Sequence, residues 1–279
     1  MNSLRQYLSR YKAEHLAIPA FNIDCFEIYQ AVEDAVRETK IPCIVQLSPG
    51  EDKFIQAERL LILVKKANID GLPIYLNMDH GKDVARIEHL INLGFDMVHF
   101  DGSNLNYQEN LEISKFFIQK IRASKPDTIV EVEFNKINLI ENGVSPDSFT
   151  NPQQALDFMS ASGADLLAVS IGNLHGVNVE FPEKINLELL SQISASIPSN
   201  FLTLHGGSGI NSEQIDQAIQ MGIVKININT DLRLKYLSTL RHNLSAMDTQ
   251  KVYEYLTPTI VDLKEVIKLK LQSLSQPHF

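Results

Sequence analysis

Short runs of aliphatic and β-branched residues alternate with longer amphipathic stretches along the sequence. Runs of about four to eight such residues between polar or turn residues predict β-strands, whereas apolar residues three and four positions apart predict helices. The predicted strands are Ala17–Phe21, Cys43–Leu47, Ile74–Met78, Met97–Phe100, Thr128–Glu133, Leu166–Ser170, Phe201–Leu204 and Val224–Ile228. The predicted helices between them include Cys25–Lys40, Ala57–Asn68, Val84–Leu93 and Ser212–Met221.

This alternation of strands and helices favours a closed parallel barrel over an open, doubly wound sheet. A (β/α)8 barrel, or TIM barrel, takes roughly 250 residues, so a chain of 279 residues suits a single domain over 1–279. An additional amphipathic helix is predicted before the barrel, over Met1–His15, with Ser3 as its N-cap. The C-terminal tail is predicted to be helical from Thr257 to about Leu274.

Composition limits the classes of partner. The formal charge of −9 argues against a nucleic-acid partner, which would favour a basic surface. The hydrophobic fraction of 44% is enough for a core without disulfides, and the two cysteines, Cys25 and Cys43, match no CxxC or zinc-finger spacing. No secretion signal is evident, and no apolar run approaches the roughly 20 residues of a membrane span. We therefore expect a cytoplasmic protein with neither membrane nor nucleic-acid partners.

Polar residues end or follow the predicted strands, and in a (β/α)8 barrel this end of the strands carries the active site. His80, His175 and His205 fall at the ends of three different predicted strands. Three histidines at one height of a barrel would converge, and three histidines with an open fourth position form a known catalytic zinc set. The polar residues at these strand ends are Asn22, Ser48, Asp79, His80, Asp101, Glu131, Glu133, His175, His205, Asn227 and Asn229.

Glycine follows each of the three histidines, and the longest such segment is Gly206–Gly209. Glycines turn the chain at strand ends, but this segment also precedes a predicted helix at Ser212. Its backbone N–H groups are therefore placed to bind an anion such as a phosphate, with the Ser208 hydroxyl as a further donor. Neither a GxGxxG motif nor a Walker A loop occurs, which argues against dinucleotide and ATP binding.

Several segments together resemble class II fructose-bisphosphate and tagatose-bisphosphate aldolases, in the same order along the chain. The resemblance implies a barrel in which His80, His175 and His205 hold one zinc ion (Zn²⁺) per chain, with Asp79 as the acid/base for the hydroxyl of the bond that is made or broken. It also implies a sugar-phosphate substrate, a monovalent cation (Na⁺ or K⁺) near the same loops, and a homodimer or homotetramer. The matching segments are Ile18–Asn22, Asn77–Gly81, His99–Ser103, Ala168–Gly176, Leu204–Ile210 and Lys225–Thr230.

The same resemblance assigns further residues to the substrate. Asn22 and Ser48 are implied on the side of the acceptor aldehyde. Glu141 takes the place of the family's loop glutamate, which removes a carbon-bound proton of dihydroxyacetone phosphate. The residues implied around the ketose phosphate or its reacting end are Gly176, Gly206, Gly207, Ser208, Asn227, Asn229 and Thr230.

Three segments depart from the family pattern. The loop with the catalytic glutamate has Asn135, Asn138 and Leu139 where the family has glycines, which restricts the backbone angles that the loop can reach. Val177–Val179 replaces a usual Tyr-Lys pair, and Gln272 stands near the position where an arginine often binds the second phosphate. The metal and ketose-phosphate end is thus preserved, and the acceptor end is altered.

Four hypotheses follow. The leading one is a zinc-dependent aldolase that cleaves a ketose 1-phosphate or 1,6-bisphosphate to dihydroxyacetone phosphate and an aldehyde, with fructose 1,6-bisphosphate the first candidate and tagatose 1,6-bisphosphate the second. The altered acceptor end leaves open the same mechanism with an unusual, non-phosphorylated aldehyde. A Schiff-base aldolase would use Lys225, and a catalytically silent sugar-phosphate-binding barrel would explain the remodelled loop over Glu133–Gly143.

Overall fold

The computed structural model describes residues 2–176 and 184–276, and its parallel strands form a closed barrel in sequence order. The last strand pairs with the first, in a register that joins Ala20 to Asn227. The predicted (β/α)8 barrel is confirmed. The strands are β1 (Ile18–Asn22), β2 (Cys43–Leu47), β3 (Ile74–Gly81), β4 (Met97–Asp101), β5 (Ile129–Glu133), β6 (Leu166–Ala168), β7 (Phe201–Leu204) and β8 (Ile223–Ile228).

Helices surround the barrel and cover its N-terminal end. The loop after β5 carries two short 3-10 turns, Ile140–Asn142 and Pro146–Ser148. The C-terminal helix begins at Val252, earlier than predicted, and contains Pro258. The helices are α1 (Leu4–Ala13), α2 (Phe26–Thr39), α3 (Pro49–Ile55), α4 (Ala57–Ile69), α5 (Val84–Leu93), α6 (Tyr107–Ser124), α7 (Pro152–Ser162), α8 (Leu187–Ser196), α9 (Ser212–Gln220), α10 (Thr230–Ala246) and α11 (Val252–Ser275).

The N-terminal helix α1 lies against the lower end of the barrel, as its apolar face requires. Ser3 caps it through the Gln6 backbone N–H, and the Gln6 side chain accepts a hydrogen bond from the Ser3 N–H. This capping box satisfies two N–H groups that a helix start otherwise leaves unpaired. Leu8 and Tyr11 of α1 pack in one buried apolar cluster with Ile18, at the start of β1. The N-terminal end of the barrel is therefore closed by apolar packing.

Side chains near the other end of the strands are buried but polar. The difference from the apolar N-terminal end matters because buried polar groups require hydrogen-bonding partners. Polar side chains that meet at the C-terminal ends of the strands can therefore form a functional site. Within the described ranges, no helix combines the length and apolar character needed to cross a bilayer. The buried polar residues of the strands include Asn22, Gln46, Asn77, Asp79, His99, Asp101, Glu131, Glu133, Lys225 and Asn227.

Candidate active site

A cavity of about 670 Å³ opens at the C-terminal ends of the strands, a usual volume for a small-molecule site. The predicted site residues line it, with the exception of His205 and Gly207. His205 is fully buried and contacts His80, whereas Gly207 lies against Ile226. The predicted residues along the cavity wall are Asn22, Ser48, Asp79, His80, Glu141, His175, Gly176, Gly206, Ser208, Asn227, Asn229 and Thr230.

A bulge in β3 presents two consecutive side chains to this cavity. Neighbouring residues of a regular strand point to opposite faces, yet both Asp79 and His80 line the cavity. The pairing of β3 with β4 shifts register between Met78 and Gly81, and His80 has a φ of 50°. A non-glycine residue in this left-handed region costs about 1–3 kcal/mol, and such strain clusters at functional sites.

His175 reaches the cavity through a loop rather than from the end of its strand, because β6 ends at Ala168. The expectation of a strand-end position was wrong here. Backbone bonds to the loop after β5 hold the residue instead: His175 N–H donates to the Asn138 carbonyl at 2.9 Å, and Ile140 N–H donates to the His175 carbonyl at 3.0 Å. The same contacts tie the loop with Glu141 to the histidine.

The rings of His80, His175 and His205 converge. The centroid of the His80 ring lies 4.7 Å from that of His205 and 5.1 Å from that of His175, and the last two are 5.9 Å apart. His80 Nε2 lies 3.1 Å from His205 Nδ1, close to the ~3.3 Å that separates two nitrogen ligands in a tetrahedral zinc site. Among the described residues, His175 Nε2 is buried without a hydrogen-bond partner. Because buried nitrogens are normally paired, an unpaired one beside two other rings fits a metal ligand.

Carboxylates hold the outer nitrogens of two of these rings. His205 Nε2 lies 2.7 Å from Glu131 Oε1, and His80 Nδ1 lies 3.3 Å from Asp101 Oδ2. Such pairs orient a histidine and leave its other nitrogen free for a metal. Lys225 Nζ in turn donates to Glu131 Oε2 at 2.9 Å. Lys225 is therefore a buried partner of the carboxylate rather than an open amine on the cavity wall.

A fourth histidine, His99, lies in the same cluster and was not assigned from the sequence. It is fully buried on β4, with its ring centroid 4.7 Å from that of His80. The signal was available, because His99 and Asp101 are two residues apart on a strand and share a face. Among the described residues, two groups have ligand-type atoms within 4.8 Å of one another: Asp79, His80, His99 and His205, and His80, Asp101 and Glu133.

The hydrogen bonding of His99 distinguishes it from the predicted ligands. Burial lowers the pKa of His205 to about 4 and also lowers the pKa of His175. Burial would lower the pKa of His80 too, but the charge of Asp79 and the hydrogen bond with Asp101 raise it. His99 Nδ1 accepts the backbone N–H of His80 at 3.1 Å. Because this backbone bond already uses Nδ1 of His99, we favour the three predicted histidines over a set that includes His99.

The carboxylate of Asp79 is buried and held by amide donors. Asn22 and Gln46 donate to Oδ2, and Asn227 donates to Oδ1, each at 3.2 Å. Burial alone would raise the pKa of Asp79, but the charge of His80 and the hydrogen bond with His99 outweigh it and hold the pKa well below its usual value. Asp79 is thus an ionised base in a fixed orientation.

The loop after β7 needs glycine for a steric reason. Gly206 has a φ of 70°, and a Cβ there would overlap the carbonyl of Leu174. Gly206 and Ser208 line the cavity, and the segment leads directly into α9. The close approach brings the loop after β7 against the segment that leads to His175, so the segments that carry His175 and His205 support each other.

The basic residues near the C-terminus do not approach the cavity of this chain. Gln272 lies exposed on α11 and does not line the cavity. Lys268 pairs with Glu38 and Lys270 pairs with Asp231, each at 2.7 Å. The segment 177–179, which replaces the usual Tyr-Lys pair of the family, falls outside the described residues. The basic residues that do line the cavity are Lys82, Lys136 and Arg233, which the sequence did not single out.

The histidines and carboxylates that converge at this end of the barrel form a possible metal site. A family model described as class II fructose-bisphosphate aldolase matches residues 2–277. The chain belongs to the class II fructose-bisphosphate aldolase family, whose members are metal-dependent carbon–carbon lyases of the aldehyde-lyase type.

Individual relatives agree with the family. The chain is 30% identical over 265 residues to the D-tagatose-1,6-bisphosphate aldolase subunit GatY of Klebsiella oxytoca, covering 92% of each chain. It is 32% identical over 277 residues to the fructose-bisphosphate aldolase of Mycoplasma pneumoniae, covering 93% of this chain and 94% of the relative. Among solved structures, the YdjI aldolase of Escherichia coli K12 superposes with a TM-score of 0.85 at 27% identity, over 98% of this chain and 96% of the other.

Proposed function

We propose that this protein is a zinc-dependent aldolase that reversibly cleaves a ketose 1-phosphate or 1,6-bisphosphate to dihydroxyacetone phosphate and an aldehyde. The observation that carries the proposal is the convergence of His80, His175 and His205 beside the ionised Asp79 in one cavity. Fructose 1,6-bisphosphate and tagatose 1,6-bisphosphate are the first candidate substrates because relatives are named for them.

The donor set suits zinc. His80 Nε2 and His205 Nδ1 face each other, and His175 Nε2 has no hydrogen-bond partner in the part of the chain that the structure describes. Imidazole nitrogens are good zinc ligands, whereas magnesium and calcium prefer oxygen. When bound, zinc would act as a Lewis acid for the negative charge that develops on the substrate oxygens.

The chain's own residues divide the proton transfers. In the cleavage direction, Asp79 accepts the proton of the hydroxyl whose carbon loses its bond, and it returns that proton in condensation. Glu141 removes and returns the carbon-bound proton of dihydroxyacetone phosphate from the loop that is tied to His175. Gly176, Gly206 and Ser208 are assigned to the ketose phosphate.

The remaining substrate contacts are assigned to residues that line the same cavity, with Gly207 as the exception. Asn227, Asn229 and Thr230 are assigned to the reacting end of the ketose phosphate, where Asn229 borders the acceptor side through its contact with Glu51. Asn22 and Ser48 are assigned to the acceptor side. Gly207 is assigned a supporting role, because it lies behind the wall against Ile226. One zinc per chain, a monovalent cation, a homodimer or homotetramer, a single domain and a cytoplasmic location all stay predictions.

Two readouts on the wild-type protein test the metal mechanism against the Schiff-base alternative. We expect chelation to abolish turnover and zinc to restore it. We also expect borohydride with substrate to leave no covalent adduct on Lys225, since its Nζ is buried and held by Glu131 and Asn227. Mass spectrometry checks the adduct. Turnover that survives chelation, together with a reduced adduct on Lys225, would replace the proposal by the Schiff-base mechanism.

A further inference from the structure

One side of the cavity is formed by the ends of β1, β2 and β8, and we call it the acceptor wall: Asn22, Ser48, Asn229 and Arg233. It offers four hydrogen-bond donors, which are a backbone N–H, two side-chain amides and a guanidinium. Backbone N–H groups and guanidinium groups are the donors that proteins use for phosphate. Judged by its donors alone, the acceptor wall therefore has the groups needed to bind a second phosphate.

A buried carboxylate of the protein already occupies these donors. Glu51 is 5% exposed, and its Oε2 accepts the Ser48 N–H at 2.6 Å and the Asn22 amide at 3.0 Å. Its Oε1 accepts the Arg233 guanidinium at 2.7 Å and the Asn229 amide at 3.4 Å. One carboxyl group thus engages a donor from each of the four wall residues.

The charge of Arg233 is shared with a second acid. Its guanidinium donates to both oxygens of Asp24, at 2.5 and 2.8 Å, in addition to the bond with Glu51. Two carboxylates therefore face one guanidinium, and the charges of Glu51 and Asp24 together outweigh that of Arg233. An incoming phosphate would need to displace Glu51 from its donors or lie beside it. Both arrangements are unfavourable, because like charges a few ångströms apart repel strongly in a partly buried site.

We propose that Glu51 fills the anion-binding position of the acceptor wall and thereby selects aldehydes whose end at this wall is uncharged and hydroxyl-bearing. This inference rests on the proposed aldolase function and names its acceptor class. Glu51 acts as a specificity-determining residue from behind the wall: it does not line the cavity itself, but it orients the amides that do. Hydroxyl groups suit this wall, because they can donate to carboxylate and amide oxygens and accept from the amides.

The kinetic test compares two aldehydes that differ only in the phosphate, D-glyceraldehyde and D-glyceraldehyde 3-phosphate, each condensed with dihydroxyacetone phosphate by the zinc-loaded protein. The wild type should have the higher kcat/KM for glyceraldehyde. Glu51→Gln keeps the size of the side chain and the hydrogen bond to Ser48 N–H, since Gln also closes a capping box. It should raise the kcat/KM ratio of phosphorylated to unphosphorylated aldehyde by about 10- to 100-fold, the effect of removing one nearby charge at the effective dielectric of a protein site.

The matched control is Glu58→Gln. Glu58 is a carboxylate on the neighbouring helix α4 that pairs with Arg86 at 2.6 Å, outside the cavity lining. This variant makes the same charge change and should leave the ratio unaltered. An equal rise in both variants would assign the effect to overall charge and overturn the role of Glu51.

A binding measurement keeps the inference testable if no aldehyde is turned over. Glu51→Ala empties the position, so isothermal titration with inorganic phosphate should find one more phosphate site than in the wild type. Failure of turnover with every aldehyde would contradict the aldolase proposal, while the phosphate titration would still decide the role of Glu51. The inference is overturned if the alanine variant gains no site. It is also overturned if the wild type has the higher kcat/KM for the phosphorylated aldehyde. Loss of that preference in Lys136→Ala would then assign phosphate binding to Lys136, which lines the same cavity.

Discussion

Replacing Asp79 with alanine should slow carbon–carbon bond cleavage by ~10²–10⁴-fold, the usual contribution of a positioned acid/base group. The carboxylate is 3% exposed and held by three amide donors at 3.2 Å, so it is fixed toward the cavity before substrate arrives. The bulge that turns both Asp79 and His80 inward places this base directly beside a candidate metal ligand. Removing the carboxylate should leave the histidines in place, and zinc should remain bound.

Cleavage of fructose 1,6-bisphosphate and tagatose 1,6-bisphosphate, zinc content and thermal unfolding should all be measured on Asp79→Ala. The control is Asp83→Ala. Asp83 caps α5 through the Ala85 and Arg86 N–H groups, so its loss should destabilise the fold by about 0.5–2 kcal/mol without touching the cavity. If Asp79→Ala cleaves substrate at the wild-type rate, Asp79 only orients His80. If the two variants lose activity equally, the effect is one of stability.

Replacing Glu141 with glutamine should slow the exchange of a carbon-bound proton of dihydroxyacetone phosphate with solvent by ~10²–10⁴-fold, in the absence of any aldehyde. This half-reaction involves no aldehyde and does not use the acceptor wall. It therefore measures the contribution of the Glu141 base independently of which aldehyde the enzyme accepts. Glu141 lines the cavity in a 3-10 turn, although the loop lacks three glycines of the family pattern. The backbone bonds between this loop and His175 supply a fixed position in place of that flexibility. Zinc content should be unchanged.

Deuterium exchange followed by NMR checks the prediction, with Asp147→Asn as control. Asp147 lies exposed on the same loop and does not line the cavity, so its replacement should leave exchange at the wild-type rate. Normal exchange in Glu141→Gln would assign the base elsewhere. Absence of exchange in the zinc-loaded wild type would favour the silent sugar-phosphate-binding barrel.

The barrel could be predicted because its strands are short, β-branched and regularly separated by amphipathic helices. Cys43–Leu47, Phe201–Leu204 and Val84–Leu93 have the predicted bounds, and the other strand ends agree to within three residues. The N-terminal helix could be predicted from nearby residues, because Ser3 is its N-cap, as predicted, and forms a capping box with Gln6. Each of these features depends on nearby residues in the sequence, which is where pattern arguments are strongest.

Features that depend on distant contacts could not be predicted in this way. The positive φ of His80 follows from a register shift between β3 and β4, which the spacing of the segment does not reveal. His175 is placed by backbone bonds to Asn138 and Ile140, far from it in the chain. The role of Glu51 emerges only when β1, β2 and β8 meet, although the Ser48-x-x-Glu51 spacing does indicate a capping box.

Anomalous scattering from crystals of the zinc-loaded protein, recorded on both sides of the zinc absorption edge, tests the central claim most directly. We expect one zinc peak per chain, about 2.0–2.1 Å from a ring nitrogen of each of His80, His175 and His205. A peak held by His80, Asp101 and Glu133 without His175 and His205, or no peak at all, would contradict it.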